Sequence, residues 1–255
     1  MVLLRVLRVI GRVVMVAVWT CAVFLVRLAL LLLTFVSAKL ELRLRQALFR
    51  LWGRGIAHFI GMRVIVKGKP PQAPFLLVSN HVSHIDAYLL GSILGSAFVA
   101  KSEVASWPVF GAIAKRCNII FVDRENYRDA LRVNDLILRD LDLGNGVVMF
   151  AESTTSRGLD VRPFKTALLE PAARNSYPVH CATIHYQTPR GTPPASQWVC
   201  WWNGTPFVKH LIRVLGMPGF TATVTFADTP VTASDRKLLA ERLREVCMAQ
   251  FTPIE

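Results

Sequence analysis

Acidic residues are scarce at the amino end of this chain. Residues 1–70 hold twelve Lys or Arg and a single acid, Glu41, whereas the remainder carries eighteen basic against sixteen acidic side chains. A net charge of +13 placed so unevenly does not describe a uniformly basic nucleic-acid-binding fold. The basic stretch contains no zinc-finger spacing, no stacking-aromatic motif and no basic helix free of apolar residues, so nucleic acid is excluded as a partner. An anionic bilayer surface remains, where each Lys or Arg contributes about 1 kcal/mol. The sequence also lacks any C-x-x-C. Its five cysteines (Cys21, Cys117, Cys181, Cys200, Cys247) are odd in number and widely spaced. That excludes a disulfide framework, fits a reducing compartment, and leaves them as small buried hydrophobes. No G-x-S-x-G elbow is present, which argues against a serine hydrolase built on one. No internal repeat is present either.

What is abundant is apolar. Hydrophobic residues make up 53% of the chain and charged residues 18%, greasier than an ordinary soluble domain. Residues 14–36, "VMVAVWTCAVFLVRLALLLLTFV", are long enough to span a bilayer, but Arg27 divides the run. An arginine at mid-bilayer costs at least about 2.5 kcal/mol. Arginines and lysines flank both sides (Arg5, Arg8, Arg12; Lys39, Arg43, Arg45), so the positive-inside rule selects no orientation. "VSA" before Lys39 resembles a signal cleavage site, yet the apolar stretch is long for a signal core. In the next segment Leu48, Leu51, Trp52, Ile56 and Phe59 share one helical face, with Arg43, Arg50 and Arg54 opposite and Arg45 on the apolar side, where it would have to snorkel. The reading is a helix or helix pair over residues 1–60 lying in or dipping into one leaflet. A single span and an ordinary core-packing helix are the alternatives.

From residue 61 to 255 the pattern changes to one domain of alternating strands and helices. "MRVIVKG", "PFLLVS", "AFVAK", "CNIIFV", "GVVMF", "PVHCATIHY", "QWVCWW" and "FTATVTF" read as strands. Helical periodicity fills 84–94, 125–142, 165–174, 206–215 and 232–251, the last with Thr232 or Ser234 as its cap. This is an α/β fold, a mostly parallel mixed sheet flanked by helices, with the final strands open to an antiparallel arrangement. Ligands of such sheets bind outside the carboxyl ends of the strands. Polar clusters follow three of them: His81 and Asp86, Asp123 and Arg124, and "ESTTSRG" at 152–158.

The first cluster, "NHVSHID" (80–86), interrupts a buried run. Five residues apart on one helix, His81 and Asp86 lie about 140° out of phase and do not meet. If the helix begins near Ser83, the carboxylate reaches back to the imidazole, fixes its tautomer and leaves the other ring nitrogen as a base. Spacing allows equally that Ser83 to Asp86 is a capping-box-like S-x-x-D, with Asp86 serving only backbone donors. His84 is the competing base, and Ser83, His84 and Asp86 are too close in sequence for a triad.

"NHVSHID" resembles the N-H-x-x-x-x-D motif of the glycerolipid acyltransferases, the family that includes 1-acylglycerol-3-phosphate acyltransferase. "FVDRE" (121–125), "FAESTTSRG" (150–158), "VRPFKTALL" (161–169) and "YPVHCATIHY" (177–186) resemble its later blocks in order, across residues 60–230. The resemblance implies a membrane-bound O-acyltransferase with His81 and Asp86 as the catalytic pair. His81 would deprotonate a lysolipid hydroxyl that attacks the thioester of acyl-CoA or acyl carrier protein, foremost the hydroxyl of 1-acylglycerol-3-phosphate to give phosphatidate. It further implies substrate contacts from Asn80, Arg124, Glu152, Ser153, Thr154, Lys165 and Pro178, and neither cofactor nor metal beyond the thioester co-substrate. The implied location is the cytoplasmic face of the inner or plasma membrane, on a monotopic or single-span anchor. Two positions depart from the pattern. Ser153 replaces a glycine, costing roughly 1–2 kcal/mol if that backbone is left-handed. Thr155 replaces an arginine, weakening lysophosphatidate as acceptor and opening other lysolipids such as lyso-ornithine lipid; Arg157 is the nearest substitute. A catalytically silent lipid-binding relative is the reading from another class.

Overall fold

Alternating apolar residues of short strands each face one of two helical layers here, and a seven-stranded sheet results. The computed structural model describes residues 2–35, 37–106, 111, 119–123 and 126–255. The strands are β1 (Met62–Lys67), β2 (Phe75–Ser79), β3 (Ala97–Lys101), β4 (Ile119–Val122), β5 (Gly146–Phe150), β6 (Val179–Gln187) and β7 (Phe220–Phe226). Their order is β1-β7-β6-β2-β5-β3-β4. All neighbours pair in parallel except β6 and β7. The helices are α1 (Val2–Leu30), α2 (Ala38–Phe59), α3 (Ile85–Leu94), α4 (Tyr127–Asp142), α5 (Glu170–Arg174), α6 (Ala195–Trp198), α7 (Phe207–Leu215) and α8 (Arg236–Ala249).

Period-two alternation sorts β2 cleanly. Phe75 and Leu77 join the core beneath α2, α3 and α7, while Leu76 and Val78 join the core beneath α4, α5 and α8. Both faces of the sheet are therefore covered, which is why its central strands read as unbroken apolar runs. "QWVCWW" is the exception among the expected strands. Pro194 precedes the short helix α6, and Val199 and Cys200 are buried in the loop that follows it. The cap of α8 is Asp235, which accepts from Lys237 N at 2.8 Å and Leu238 N at 2.9 Å, not Thr232 or Ser234.

The amino-terminal arginines have partners that periodicity did not reveal. Arg12 is buried and donates to the carbonyls of Leu215 (3.0 Å), Met217 (2.6 Å) and Pro218 (3.2 Å), and Arg8 donates to Gly216 (3.1 Å). These are the orphan carbonyls at and just beyond the end of α7, where positive charge is favoured. Arg5 lies over the Trp198 ring at 5.0 Å. Arg27 meets Glu41 at 3.0 Å, both nearly buried, with Arg45 on the other carboxylate oxygen at 3.9 Å. The lone acid of the first seventy residues is thus the counter-ion that lets Arg27 sit inside an apolar helix pair, and it also holds Arg45.

Helix α2 corrects the amphipathic expectation. Arg50 and Arg54, expected on the polar face opposite the membrane-facing residues, donate to Leu94 O and Ser92 O at the carboxyl end of α3. Ile56, Ala57 and Ile60 belong to the sheet core. A Cβ added at Gly53 would lie 2.7 Å from Ser92 N, so glycine is what permits the close approach of α2 to α3. The half of α2 near Phe59 is a core-packing helix. The unpartnered apolar face belongs to α1, where Val2, Leu3, Leu7, Ile10, Val14 and Val18 are exposed.

Candidate active site

The chain leaves β2 at Ser79, crosses the sheet's carboxyl edge and enters α3 at Ile85. That short crossing holds His81 beside Asp86. His81 Nδ1 lies 2.8 Å from Asp86 Oδ2, and the same oxygen accepts from Val82 N at 2.8 Å and Ser83 N at 3.0 Å. One carboxylate oxygen both serves the backbone donors of the loop that leads into the helix and grips the imidazole. Asp86 is fully buried, so no water competes for it. A carboxylate accepts only; Nδ1 therefore carries its proton, and Nε2 is the nitrogen left with a lone pair.

The imidazole is fixed on its face as well. Phe150, the last residue of β5, stacks on it with centroids 4.0 Å apart and planes 12° from parallel. The His81 side chain keeps 17% of its exposure. Its backbone is pinned too. His81 O accepts from Ser156 N at 2.9 Å, and His81 N donates to Glu152 Oε1 at 3.3 Å. The loop after β5 is thereby laced to the loop after β2, which parallel pairing of the two strands makes possible.

Glu152 is 3% exposed, and its Oε2 has no hydrogen-bond partner among the described residues. Burial pushes its carboxyl up to about 8, partly opposed by the His81 N–H and the Arg162 charge. Ser153 adopts φ 63°, the left-handed conformation in which serine bears the expected strain. Thr154 is exposed beside it.

Other expected contacts do not converge on this point. Asn80 is fully buried, donating to Ile184 O at 3.0 Å and accepting from Ile184 N at 2.7 Å; it ties β2 to β6 instead of facing open space. The Lys165 side chain is exposed, and only its backbone N–H engages this region, on Ala151 O. Pro178 precedes β6, which pairs Val179 with Leu76. It therefore sits at the amino edge of the sheet, the edge opposite His81, because β6 runs parallel to β2. Arg124 lies outside the described residues. Its neighbour Asp123 follows β4, two strands from β5.

His84 engages different partners. Its Nε2 lies 2.9 Å from Nδ1 of fully buried His210 on α7, and Trp201 and Phe207 crowd its ring. Burial holds His84 well below the ordinary histidine range and His210 down to about 4. Among the described residues the other nitrogen of each ring, His84 Nδ1 and His210 Nε2, is buried without a hydrogen-bond partner.

Sequence reasoning missed Tyr186 and Trp201. The Tyr186 hydroxyl donates to Asp86 Oδ1 at 2.8 Å, and Trp201 N donates to Val82 O at 2.8 Å. Both lie a hundred residues or more from their partners; the inward parity of Tyr186 on β6 was the one available signal.

The site thus presents a histidine held by a buried carboxylate at the carboxyl end of a parallel strand and laced to a glutamate-bearing loop. The Acyltransferase family matches residues 63–185. A lyso-ornithine lipid O-acyltransferase of Rhizobium meliloti is 33% identical over 253 residues, covering 88% of this chain and 86% of that protein. The chain belongs to the glycerolipid acyltransferase family. A 1-acyl-sn-glycerol-3-phosphate acyltransferase of Neisseria meningitidis is 29% identical across 76% of each protein. A lyso-ornithine lipid O-acyltransferase of Rhodobacter capsulatus is 31% identical over 69% of this chain and 64% of its own length. The crystal structure of the 1-acyl-sn-glycerophosphate acyltransferase PlsC from Thermotoga maritima superposes with a TM-score of 0.61, covering 93% of this chain and 95% of that one. At 19% identity that likeness shows a shared fold. This family member is an acyltransferase of the lysolipid type.

Proposed function

We propose that this acyltransferase moves a fatty acyl chain from a thioester to the free hydroxyl of a one-chain lipid, with His81 as general base. The observation that carries the reading is the 2.8 Å bond from His81 Nδ1 to buried Asp86, which leaves Nε2 able to take a proton. Nε2 accepts the hydroxyl proton as the lipid oxygen attacks the thioester carbonyl. The tetrahedral intermediate then expels the thiolate, which takes the proton back from the imidazolium. A positioned base of this kind contributes about 10²–10⁴ in rate. The thioester is already activated, so the reading requires no nucleophile from the enzyme. The donor is acyl-CoA or acyl carrier protein.

The acceptor carries an acid group in either of two forms. Thr155 stands where a phosphate-binding arginine is usual, which favours the singly charged carboxylate of lyso-ornithine lipid over a phosphate. The Rhizobium and Rhodobacter relatives named for that activity support this choice. Lysophosphatidate is the second reading, favoured by the Neisseria relative. Two guanidiniums border the third-block loop: Arg157, over Trp202 at 5.6 Å, and Arg162, whose charge reaches Glu152.

Helix α1 supports a monotopic place on the membrane. Its 29 residues extend roughly 43 Å at 1.5 Å per residue. Arg8 and Arg12 bind the sheet domain, and Trp19 and Thr20 bind α2 through Trp52. A helix tied to the protein near its start, at its middle and, through Arg27 and Glu41, near its end lies along the domain, and its exposed apolar face enters one leaflet. The test of the function is to incubate membranes holding the protein with labelled acyl-CoA or acyl carrier protein and a panel of lysolipids. Label should enter a two-chain ornithine lipid and vanish with His81→Ala. Label entering only phosphatidate would select the second acceptor, release as free fatty acid would indicate a hydrolase, and binding without transfer a silent relative.

A further inference from the structure

We infer that Tyr186 is a positioning residue of the acyl-transfer site, setting the orientation of the Asp86 carboxylate and through it the proton affinity of His81. Three donors converge on Asp86 Oδ2, namely His81 Nδ1, Val82 N and Ser83 N. The other oxygen, Oδ1, receives the Tyr186 hydroxyl at 2.8 Å, the single donor to it among the described residues. The side-chain torsion of an aspartate about its terminal bond is broad. A carboxylate bonded along one edge can therefore swing about that bond. A donor on the opposite oxygen removes the swing and keeps Oδ2 against His81 Nδ1.

The source of that donor is rigid. Tyr186 is the penultimate residue of β6, is 1% exposed, and packs its ring edge-on to Phe220 with centroids 5.9 Å apart. Neighbouring β2 and β6 are tied by Asn80 to Ile184, so the strand presenting the hydroxyl and the loop presenting His81 move as one piece. Burial and the adjacent Asp86 charge both push the phenol well above its ordinary range, so it remains a donor at any working pH.

A hydrogen bond to Oδ1 withdraws charge from the carboxylate. Without it, Asp86 is a stronger partner for the imidazolium, so the proton on His81 binds more tightly while the carboxylate is held less firmly. Tyr186→Phe retains the ring and its packing and deletes one donor. Its expected effect is a fall in kcat of about 10- to 100-fold, KM for the lysolipid within about twofold, and an acid limb of the pH–rate profile moved upward by about half a unit or more. In an Asp86→Asn background the same change should cost less than about twofold, since the carboxylate it acts through is gone.

The rate measurements rest on the acyl-transfer reading. A second measurement does not. With 15N-labelled histidine, the His81 resonance is identified by its loss in His81→Ala and titrated in wild type and Tyr186→Phe, and the melting temperature of each is recorded. The inference expects the titration of His81 to move up and its Nδ1 proton signal to broaden by faster exchange, in a variant that remains folded. An unchanged titration overturns it, as does kcat within twofold of wild type or an undiminished loss in the Asp86→Asn background. If wild type transfers no acyl chain to any lysolipid, the functional reading fails, and the titration alone decides the part played by Tyr186.

Discussion

His81 and His84 stand three residues apart in one short stretch, and the fold gives them opposite surroundings. His81 receives a buried carboxylate on one nitrogen and a phenyl face against its ring, and its side chain stays partly exposed. His84 receives a second histidine, with aromatic rings around it, and burial holds both rings neutral. A histidine becomes a base when a charge fixes its tautomer while one nitrogen stays reachable. It becomes filler when the same low-dielectric surroundings offer only another neutral ring. Sequence position distinguished the two poorly; what differs is whether a carboxylate folds back.

The comparison breaks most sharply at that carboxylate. Asp86→Asn keeps the shape, the cap acceptor and the partner for Tyr186, but removes the charge that holds the proton on Nδ1. Turnover should fall by about 10²–10⁴ with lysolipid binding mostly kept. A wild-type rate would reduce Asp86 to a helix cap.

Smaller effects come from pH, where two buried groups should act in opposite directions. His210, held at about 4, takes up a proton less readily folded than unfolded. Its contribution to stability is present above the unfolded value near 6.5 and is lost as pH falls toward about 4. Glu152, raised to about 8, is the converse: folded, it holds its proton where the unfolded carboxyl has released it. Stability tied to Glu152 is therefore lost as pH rises from about 4.5 to about 8. Melting temperatures across pH 4–8 should show His210→Phe flattening the acid side and Glu152→Gln flattening the alkaline side, each by up to a few kcal/mol. Parallel curves for wild type and both variants would refute these surroundings.

Much of the architecture was legible because alternation is a local property. Seven of eight expected strands form, and the parallel order follows from helices placed between them. "QWVCWW" misled because burial alone does not make a strand; a proline-led turn placed that run in a loop over the site. The candidate base and its carboxylate were legible as a motif, though their bond required α3 to begin after His81. Tyr186 and the destinations of Arg12, Arg50 and Arg54 were not legible. Each partnership joins residues more than thirty apart, or rests on backbone carbonyls that every residue possesses. Pro178 was misplaced because a block in sequence gives no sheet edge; strand direction does.

The account rests on one nitrogen being the base, and the most direct measurement sets the two histidines against each other. Acyl transfer to the accepted lysolipid should be timed for His81→Ala and His84→Ala in identical membranes. The account predicts a loss of about a thousandfold or more for the first and a rate within about tenfold of wild type for the second. Survival of transfer in His81→Ala, with loss in His84→Ala, would contradict it.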